Sequence, residues 1–460
     1  MHASIVKPKK MALFVSFLQL ILLFGYLGLN IQNVGEMGIA LPLLAGFVGI
    51  SGLLVFNQVI RLTLVLRLHL FVFLLLISWV SLRVIIDLGD MSHLKQLTVA
   101  TTGGMLLFFL VGSFARQALD KLSQAASSRL YLKLVILLFA LVSLAIFISF
   151  KGRLLDRPDI FYIEGVEGGY QRPGNFLIML FIMASFAYLV LAAHPLTKGF
   201  IRFTAWLGIY TFGLVLALIS SQMIGSNAAT ANLLAIYMMT SVISLLALSR
   251  GIRNRFNQGR LSLPLSKATL KKLLTYSGVT LFAALFLAII AIQITGFDLS
   301  KTRAFGFGSG SNNSVTSRFD ILLETGPAQL AYAPFLGNVN VAELTTGNAG
   351  RTLHNFIPNV MAELGLVGLA LVLTLLLLSF TTLIKNIKQA PTNPSGFGMA
   401  VINFWLLFVF IWLFLYANIS VGKSWSVIWF FVGFAVSVFV FNKSTHKVKG
   451  NIFNELVAHD

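Results

Sequence analysis

The sequence predicts an all-α polytopic membrane protein with about twelve transmembrane helices in one membrane domain, residues 1–460. Of the 460 residues, 57% are hydrophobic and 11% are charged, whereas a soluble domain has roughly 25% charged residues. The apolar residues gather in runs of about 20, the length that crosses a bilayer as a helix. The basic residues concentrate in alternate connecting segments, as they do in multi-pass proteins. These observations exclude a soluble globular fold.

The apolar runs follow one another along the whole chain. The first comes after Lys7, Lys9 and Lys10 and so resembles a secretory signal peptide. No small-residue cleavage site follows it in residues 26–38, and we interpret it as a retained first span. The predicted spans lie at about 11–29, 37–56, 68–88, 97–114, 131–150, 175–193, 201–219, 229–249, 273–295, 357–384, 399–418 and 425–441.

The orientation of the spans follows from Lys and Arg, which remain in cytoplasmic loops. With the N-terminus inside, 23 of the 34 basic residues fall in inside segments and 10 fall in outside segments. Acidic residues show the opposite bias, since only Asp120, Glu455 and Asp460 fall inside. Both termini are therefore predicted to be cytoplasmic. The long segment between spans nine and ten, residues 296–356, is predicted to lie outside.

The net charge of +19 would suggest a nucleic-acid partner if the protein were soluble. Here we attribute the charge to topology, and no nucleic-acid partner is expected. The strongest basic cluster, residues 250–272, contains no acidic residue. We interpret it as a cytoplasmic anchor that attracts the anionic headgroups of the lipid bilayer, with a regulatory partner site as the alternative.

Residues 296–356 form the one large polar region of the chain and lead directly into span ten. The region begins with a glycine-rich stretch, residues 305–317, and ends with Arg351 and His354. A second outside loop, residues 151–174, ends at the start of span six. Because nearly every other segment is apolar enough to lie in lipid, we predict that 296–356 is an active-site loop on the outside of the membrane, and the family resemblance described below makes that side the periplasm.

Several outside residues could carry chemistry in these loops. Guanidinium groups match phosphate oxygens bidentately and stay charged throughout a reaction. A histidine that titrates near neutrality can accept the proton of a hydroxyl. Metal-ligand clusters and phosphate-binding glycine loops are not found, so neither metal nor cofactor is expected. The candidates for a phosphate-bearing substrate and a hydroxyl nucleophile are Arg172, Arg303, Arg318, Arg351 and His354.

Each candidate also has a structural interpretation. Arg351 and His354 are three residues apart, so one helical turn would place them on the same face, but they could equally be an interfacial arginine and a capping histidine. Arg318 could pair with a carboxylate in residues 319–324, and Arg172 could anchor span six at the headgroups.

Two further residues near the start of span ten are candidates. Asn355 follows His354 directly, and either Asn355 or a neighbouring carboxylate is expected to orient the His354 ring. Glu363 lies roughly two and a half turns into the span. An ionisable group at that depth is expensive, so it is expected to be either functional or tightly paired.

The order of these residues resembles that of the O-antigen ligase and polymerase family. The resemblance rests on Arg318, then Pro334-x-x-Gly337, then His354-Asn355, then Glu363-x-Gly365-x-x-Gly368 leading into a span. The element Arg172-Pro173-Gly174-Asn175 resembles the arginine-bearing start of the corresponding helix in the family. These bacterial membrane glycosyltransferases use glycans carried on undecaprenyl pyrophosphate at the outer face of the inner membrane.

The resemblance implies a lipid-carrier glycosyltransferase fold of the GT-C-like type, with a lateral groove for the isoprenoid. It further implies that Arg172, Arg318 and Arg351 hold the pyrophosphate while His354 accepts the proton of the attacking sugar hydroxyl. Arg303 is the weaker arginine candidate. The implied partners are an undecaprenyl-pyrophosphate-linked oligosaccharide and a chain-length regulator, and the implied location is the bacterial inner membrane.

One element departs from the family pattern. After span seven the family often has Ser-Arg-Gly-Ala, whereas this chain has Ser221-Gln222 followed by Met223, Ile224 and Gly225. A direct transfer of the ligase's two-arginine phosphate clamp is therefore not expected. Together with the stretches 334–338 and 345–347, this departure favours a surface-polysaccharide polymerase over an O-antigen ligase. A flippase of lipid-linked sugars is the third alternative, but it would distribute ionisable residues along several helices.

Overall fold

A computed structural model describes twelve segments of the chain, and within them the backbone is all-helical, without a strand. The described residues are 3–32, 40–56, 63–86, 93–124, 128–156, 171–193, 200–224, 226–248, 314–348, 351–390, 394–423 and 425–437. The helices are α1 Ala3–Gln32, α2 Leu41–Phe56, α3 Leu64–Ile86, α4 His93–Gln124, α5 Ser128–Asp156, α6 Gln171–Ala193, α7 Phe200–Met223, α8 Asn227–Leu248, α9 Ser314–Glu324, α10 Gly326–Tyr332, α11 Val341–Thr346, α12 Phe356–Lys388, α13 Pro394–Ser420 and α14 Ser426–Val436.

The predicted membrane fold is confirmed in its main feature. Eight of the described helices, α1, α3, α4, α5, α6, α7, α12 and α13, are long and apolar enough to cross a membrane. The protein is therefore a multi-pass membrane protein. Helices α2 and α14 are apolar but shorter, and α8 occupies the eighth predicted span. The ninth predicted span, 273–295, lies outside the described residues, so the count of twelve stays a prediction.

Helix α4 continues beyond the predicted end of its span at residue 114. Arg116 and Asp120 follow that predicted end. The two charges instead lie one turn apart inside the bundle and pair, with Arg116 Nε 2.8 Å from Asp120 Oδ1. The guanidinium also lies 4.0 Å from the centre of the Phe186 ring. Paired and covered in this way, the charges do not end the helix.

The centre of the bundle is α6. Its residues from Pro173 to Ala193 are buried, apart from the half-buried Asn175. The helix carries no ionisable side chain after Arg172 except Tyr188, so all of its faces can pack against apolar neighbours. It contacts α1, α5 and α8 among others, and this position fixes the helix start that bears Arg172.

Helices α4 and α14 approach unusually closely through two glycines. A Cβ on Gly112 would lie 1.9 Å from the carbonyl oxygen of Phe430, and one on Gly433 would lie 1.8 Å from that of Phe109. Only residues without a side chain permit this crossing. The crossing holds α14, and with it the α13–α14 link at 421–425, against the body of the protein.

Several helix ends lie together at one end of the bundle, which we call the site end. The end of α3 bonds to the 333–340 loop, and the start of α6 bonds to the α13–α14 link. The start of α12 bonds to the end of α13. The sequence assigns each of these helix ends to the outside, so their association agrees with the predicted alternation of the spans.

Candidate functional site

The centre of the candidate site is His354, in the short segment that leads into α12. Leu353 is fully buried against Val341 and Ala362, which anchors the segment. His354 itself is half-buried. Burial lowers the pKa of the His354 imidazole below its ordinary value of 6.5, and the nearby positive charge of Arg318 lowers this pKa further. The neutral ring, the form that can accept a proton, is therefore favoured.

The relation predicted between Arg351 and His354 is wrong in its geometry. Asn355 has an extended backbone, with φ −103° and ψ 123°, and α12 begins only at Phe356. Both residues precede the helix, so no helical turn places them on a common face. Arg351 is exposed, and its carbonyl accepts a hydrogen bond of 2.9 Å from Gln329 Nε2 on α10. The arginine that acts on His354 is Arg318 of α9.

Asn355 connects two helices, and its amide nitrogen is not directed to His354. Its Nδ2 donates to the carbonyl of Asn418 at the end of α13, at 2.9 Å. Asn418 Oδ1 in turn accepts the backbone N–H of Ile357 at 3.1 Å. Asn355 is buried, and its Oδ1 has no hydrogen-bond partner among the described residues.

Glu363 is tightly paired, one of the two outcomes that its depth predicts. It forms an ion pair with Lys423 Nζ of the α13–α14 link, and it accepts a hydrogen bond of 2.6 Å from Asn359 Nδ2. Asn359 Oδ1 accepts the backbone N–H of Lys423 at 3.0 Å. Both charged residues are buried, with exposed fractions of 8% and 6%. This cluster ties the link to the first turns of α12.

The same link reaches the start of α6. Trp425 Nε1 donates to Asn175 Oδ1 at 2.8 Å, and Trp425 is itself buried. A Cβ on Gly174 would lie 2.4 Å from Ser226 Oγ, so the start of α6 also lies against the α7–α8 turn. Arg172 is exposed beyond this anchored turn. The arginine element of span six and the His354 segment therefore share the site end.

Gln222, which stands where the family pattern has an arginine, is held by α8. Its Nε2 donates to Thr230 Oγ1, and Ser221 Oγ lies 2.6 Å from the same hydroxyl. The predicted candidate Arg303 lies outside the described residues. Among the described candidates, Arg318 is the arginine whose charge lowers the pKa of His354, and Arg172 and Arg351 are exposed at the site end.

Sequence reasoning missed several residues that build the site. Asn359, Asn418, Lys423 and Trp425 were not singled out because none of them belongs to a recognisable motif. One signal was available for Lys423. It is a lone basic residue between two predicted spans on the side of Glu363, and a buried carboxylate requires a partner.

The glycines of the family-like motif form a backbone junction. Gly365 has φ 68° and ψ −172° and interrupts α12. The Pro334–Gly337 turn fills the interruption, where the carbonyl of Pro334 accepts the N–H of Leu366 at 3.0 Å. A Cβ on Gly337 would lie 2.3 Å from Gly365 N. The pattern Pro334-x-x-Gly337 therefore meets Gly365 because only glycines allow this contact.

Two side chains from α3 complete the junction. Arg83 Nη2 donates to the carbonyl of Gly337 at 2.8 Å. Trp79 Nε1 donates to the carbonyl of Leu364 at 2.9 Å. The tryptophan satisfies a carbonyl of the interrupted helix, and the arginine satisfies a carbonyl of the turn that fills the interruption. Arg83 is buried, and its placement on a carbonyl explains why a span carries this charge.

Gly337→Ala is expected to destabilise the protein strongly. A side chain at φ 71° costs about 1–2 kcal/mol by itself, and here the new Cβ would also overlap the backbone of α12. Gly347→Ala is the matched control, since Gly347 has φ 70° but nothing within 4 Å of the added Cβ. Thermal unfolding in detergent measures both. Equal shifts for the two variants would contradict the junction.

Neither models of known protein families nor curated proteins match this chain.

Proposed function

We propose that the protein is a membrane glycosyltransferase that elongates a surface polysaccharide. It would transfer a glycan from undecaprenyl pyrophosphate to a sugar hydroxyl of another lipid-linked repeat unit. The observation that carries this proposal is the pair of Arg318 and a half-buried His354 whose pKa is lowered. The pair lies at the bundle end where Arg172 is exposed. In this proposal the site end faces the periplasm of a bacterial inner membrane.

The proposed reaction needs one base and a counter-charge for the leaving group. The acceptor hydroxyl oxygen attacks the anomeric carbon, and its proton passes to the neutral imidazole of His354. The bond between the anomeric carbon and the pyrophosphate oxygen breaks, and negative charge grows on the pyrophosphate. The guanidinium groups of Arg172, Arg318 and Arg351 would offset that charge.

The charge of Arg318 would serve both the base and the leaving group. A positive charge beside the imidazole keeps the ring neutral and ready to accept a proton. The same charge would draw the pyrophosphate towards the ring, so that the donor sugar and the acceptor hydroxyl meet beside the base. Bound phosphate would in turn offset the effect of Arg318 and make the ring more basic when the reaction occurs. The arrangement therefore couples binding of the donor to activation of the acceptor.

Asn355 would support the site through structure, since the bond from its Nδ2 to the carbonyl of Asn418 holds the segment that carries His354. Glu363 would support the site indirectly, since its ion pair with Lys423 fixes the start of α12.

The proposal is tested with purified protein in liposomes that contain a lipid-linked repeat unit. We expect chain elongation by the natural protein and a large loss for Arg318→Lys, because an ammonium cannot reproduce the bidentate fork. Arg67→Lys is the control, since Arg67 is exposed at the opposite end of α3. Full activity of Arg318→Lys would contradict a phosphate-binding role for Arg318.

The same liposomes also distinguish a polymerase from a ligase by the acceptor that is used. An O-antigen ligase would transfer the glycan to lipid A-core and would not elongate the lipid-linked repeat. Transfer only to added lipid A-core would therefore replace the polymerase proposal with the ligase. Movement of the lipid-linked substrate across the bilayer without glycosidic bond formation would favour a flippase.

A further inference from the structure

An exposed surface without charge extends over residues 327–336, at the end of α10 and in the turn after it. Its large members are Tyr332, Phe335 and Leu336, with exposed fractions of 51%, 69% and 48%. Pro327 and Ala328 are exposed beside them. No Asp, Glu, Lys or Arg occurs between residues 325 and 342. Contiguous apolar patches of this kind mark interaction surfaces.

The depth of this surface in the membrane follows from the length of the uncharged part of α12. Between Glu363 and Lys385 the helix has 21 residues without a charge, which span about 30 Å at 1.5 Å per residue, the thickness of a hydrocarbon core. With Lys385 at one boundary of the core, Gly365 therefore lies at the other. The turn that carries Phe335 fills the interruption at Gly365, so it lies at that boundary as well.

The surface is continuous with the lipid-facing side of α12. Leu366 and Val367 directly follow the interruption and are 41% and 42% exposed. Their N–H groups bond to the carbonyls of Pro334 and Phe335, at 3.0 Å and 3.5 Å. Irregular backbone is tolerated at membrane depth only when its polar groups are satisfied. The contact of Arg83 with Gly337 contributes to this requirement.

Helix α9 shows the same division between lipid and water. Phe319 and Leu323 are exposed and four residues apart, so they share one face. Asp320 and Glu324 are also exposed but lie about 100° further around the helix. The inner face carries Ile321, which packs towards the buried cluster around Leu353. A helix with separate apolar and acidic exposed faces suits a position in the plane of the interface.

We infer that the surface formed by residues 327–336, together with the apolar face of α9, is embedded in the headgroup and acyl boundary of the leaflet at the site end. The occupant of the surface is membrane lipid. The described part of the polar loop before α12 therefore lies on the bilayer, with Phe335 and Leu336 in the acyl region and the acidic face of α9 towards water. This inference does not depend on the proposed function.

The experiment uses the natural absence of cysteine from this chain. Phe335→Cys is labelled with an environment-sensitive fluorophore, and the full chain is reconstituted into phosphatidylcholine and phosphatidylglycerol vesicles. Some vesicles contain lipids with a nitroxide at a shallow or a deep acyl position. Glu324→Cys is the matched control, because residue 324 is exposed on the acidic face of α9. Both changed side chains are exposed, which favours normal folding of the variants.

We expect blue-shifted emission from the probe at 335 and several times stronger quenching by shallow nitroxide lipid than for the probe at 324. Equal quenching at the two positions would overturn the inference. Blue-shifted emission at 335 without quenching would also overturn it, because a protein surface would then cover the patch. Ala331→Cys provides a second position on the surface and should behave like Phe335→Cys.

Discussion

His354→Gln is expected to abolish glycosyl transfer while the protein still inserts and folds. Loss of a general base typically costs about 10²- to 10⁴-fold in rate, or roughly 3–5 kcal/mol of barrier. Glutamine keeps a polar side chain of similar size in the half-buried position but cannot carry the proton. The measurement is the rate of elongation of a lipid-linked repeat by purified protein in liposomes. Its control is the unfolding temperature of the same preparation.

The pH dependence of the elongation rate should report the protonation of the His354 imidazole. Only the neutral imidazole accepts a proton, so the rate should fall as the pH drops through the pKa of His354. Burial and Arg318 lower that pKa, so the rate should persist to a pH below 6.5, the ordinary value for histidine. Arg318→Gln removes one of the two causes and should move the acid limb of the residual activity to higher pH.

One result would contradict the role of His354 as the base, and another would contradict the effect of Arg318 on its pKa. If His354→Gln elongates the substrate at nearly the natural rate, the ring only orients substrate and another group is the base. If the acid limb is the same in Arg318→Gln, the electrostatic contact between Arg318 and His354 is absent in the working enzyme. A loss of insertion in either variant would appear in the unfolding control.

Lys423→Met is expected to have the largest effect on stability. It leaves Glu363 buried with only the amide of Asn359 as partner. Removing one member of a buried ion pair costs about 3–5 kcal/mol, because the remaining charge is uncompensated. Thermal unfolding in detergent measures the effect. Lys388→Met is the matched control, since Lys388 is exposed at the other end of α12, and it should change stability by about 0.5 kcal/mol or less.

The double variant Glu363→Gln/Lys423→Met tests whether Glu363 serves only the stability of the fold or also the reaction. With both charges removed, most of the lost stability should return, because the desolvation cost disappears together with the pair. If the stable double variant also elongates substrate, Glu363 is a positioning residue. If it is stable but inactive, the charged pair has a functional role, which is the other outcome that the depth of Glu363 predicts. A double variant no more stable than Lys423→Met would contradict the paired arrangement.

The class of the protein and the position of the candidate loop were predictable from the amino-acid sequence alone. Hydropathy and charge are local properties of the chain, and both act directly on partition between lipid and water. They were therefore sufficient to predict the all-helical membrane fold and the approximate positions of the long helices that the structure describes. They also identified His354, Arg318 and Glu363 as residues that required an explanation.

The partners of those residues depend on the tertiary structure. Glu363 meets Lys423, 60 residues further along the chain, and Trp425 meets Asn175, 250 residues before it. Such contacts depend on how α6, α12 and the α13–α14 link pack, and no periodicity along one helix contains that information. The expected turn between Arg351 and His354 was wrong for the same reason. The extended backbone at Asn355 is held by α13, whose residues are distant in sequence.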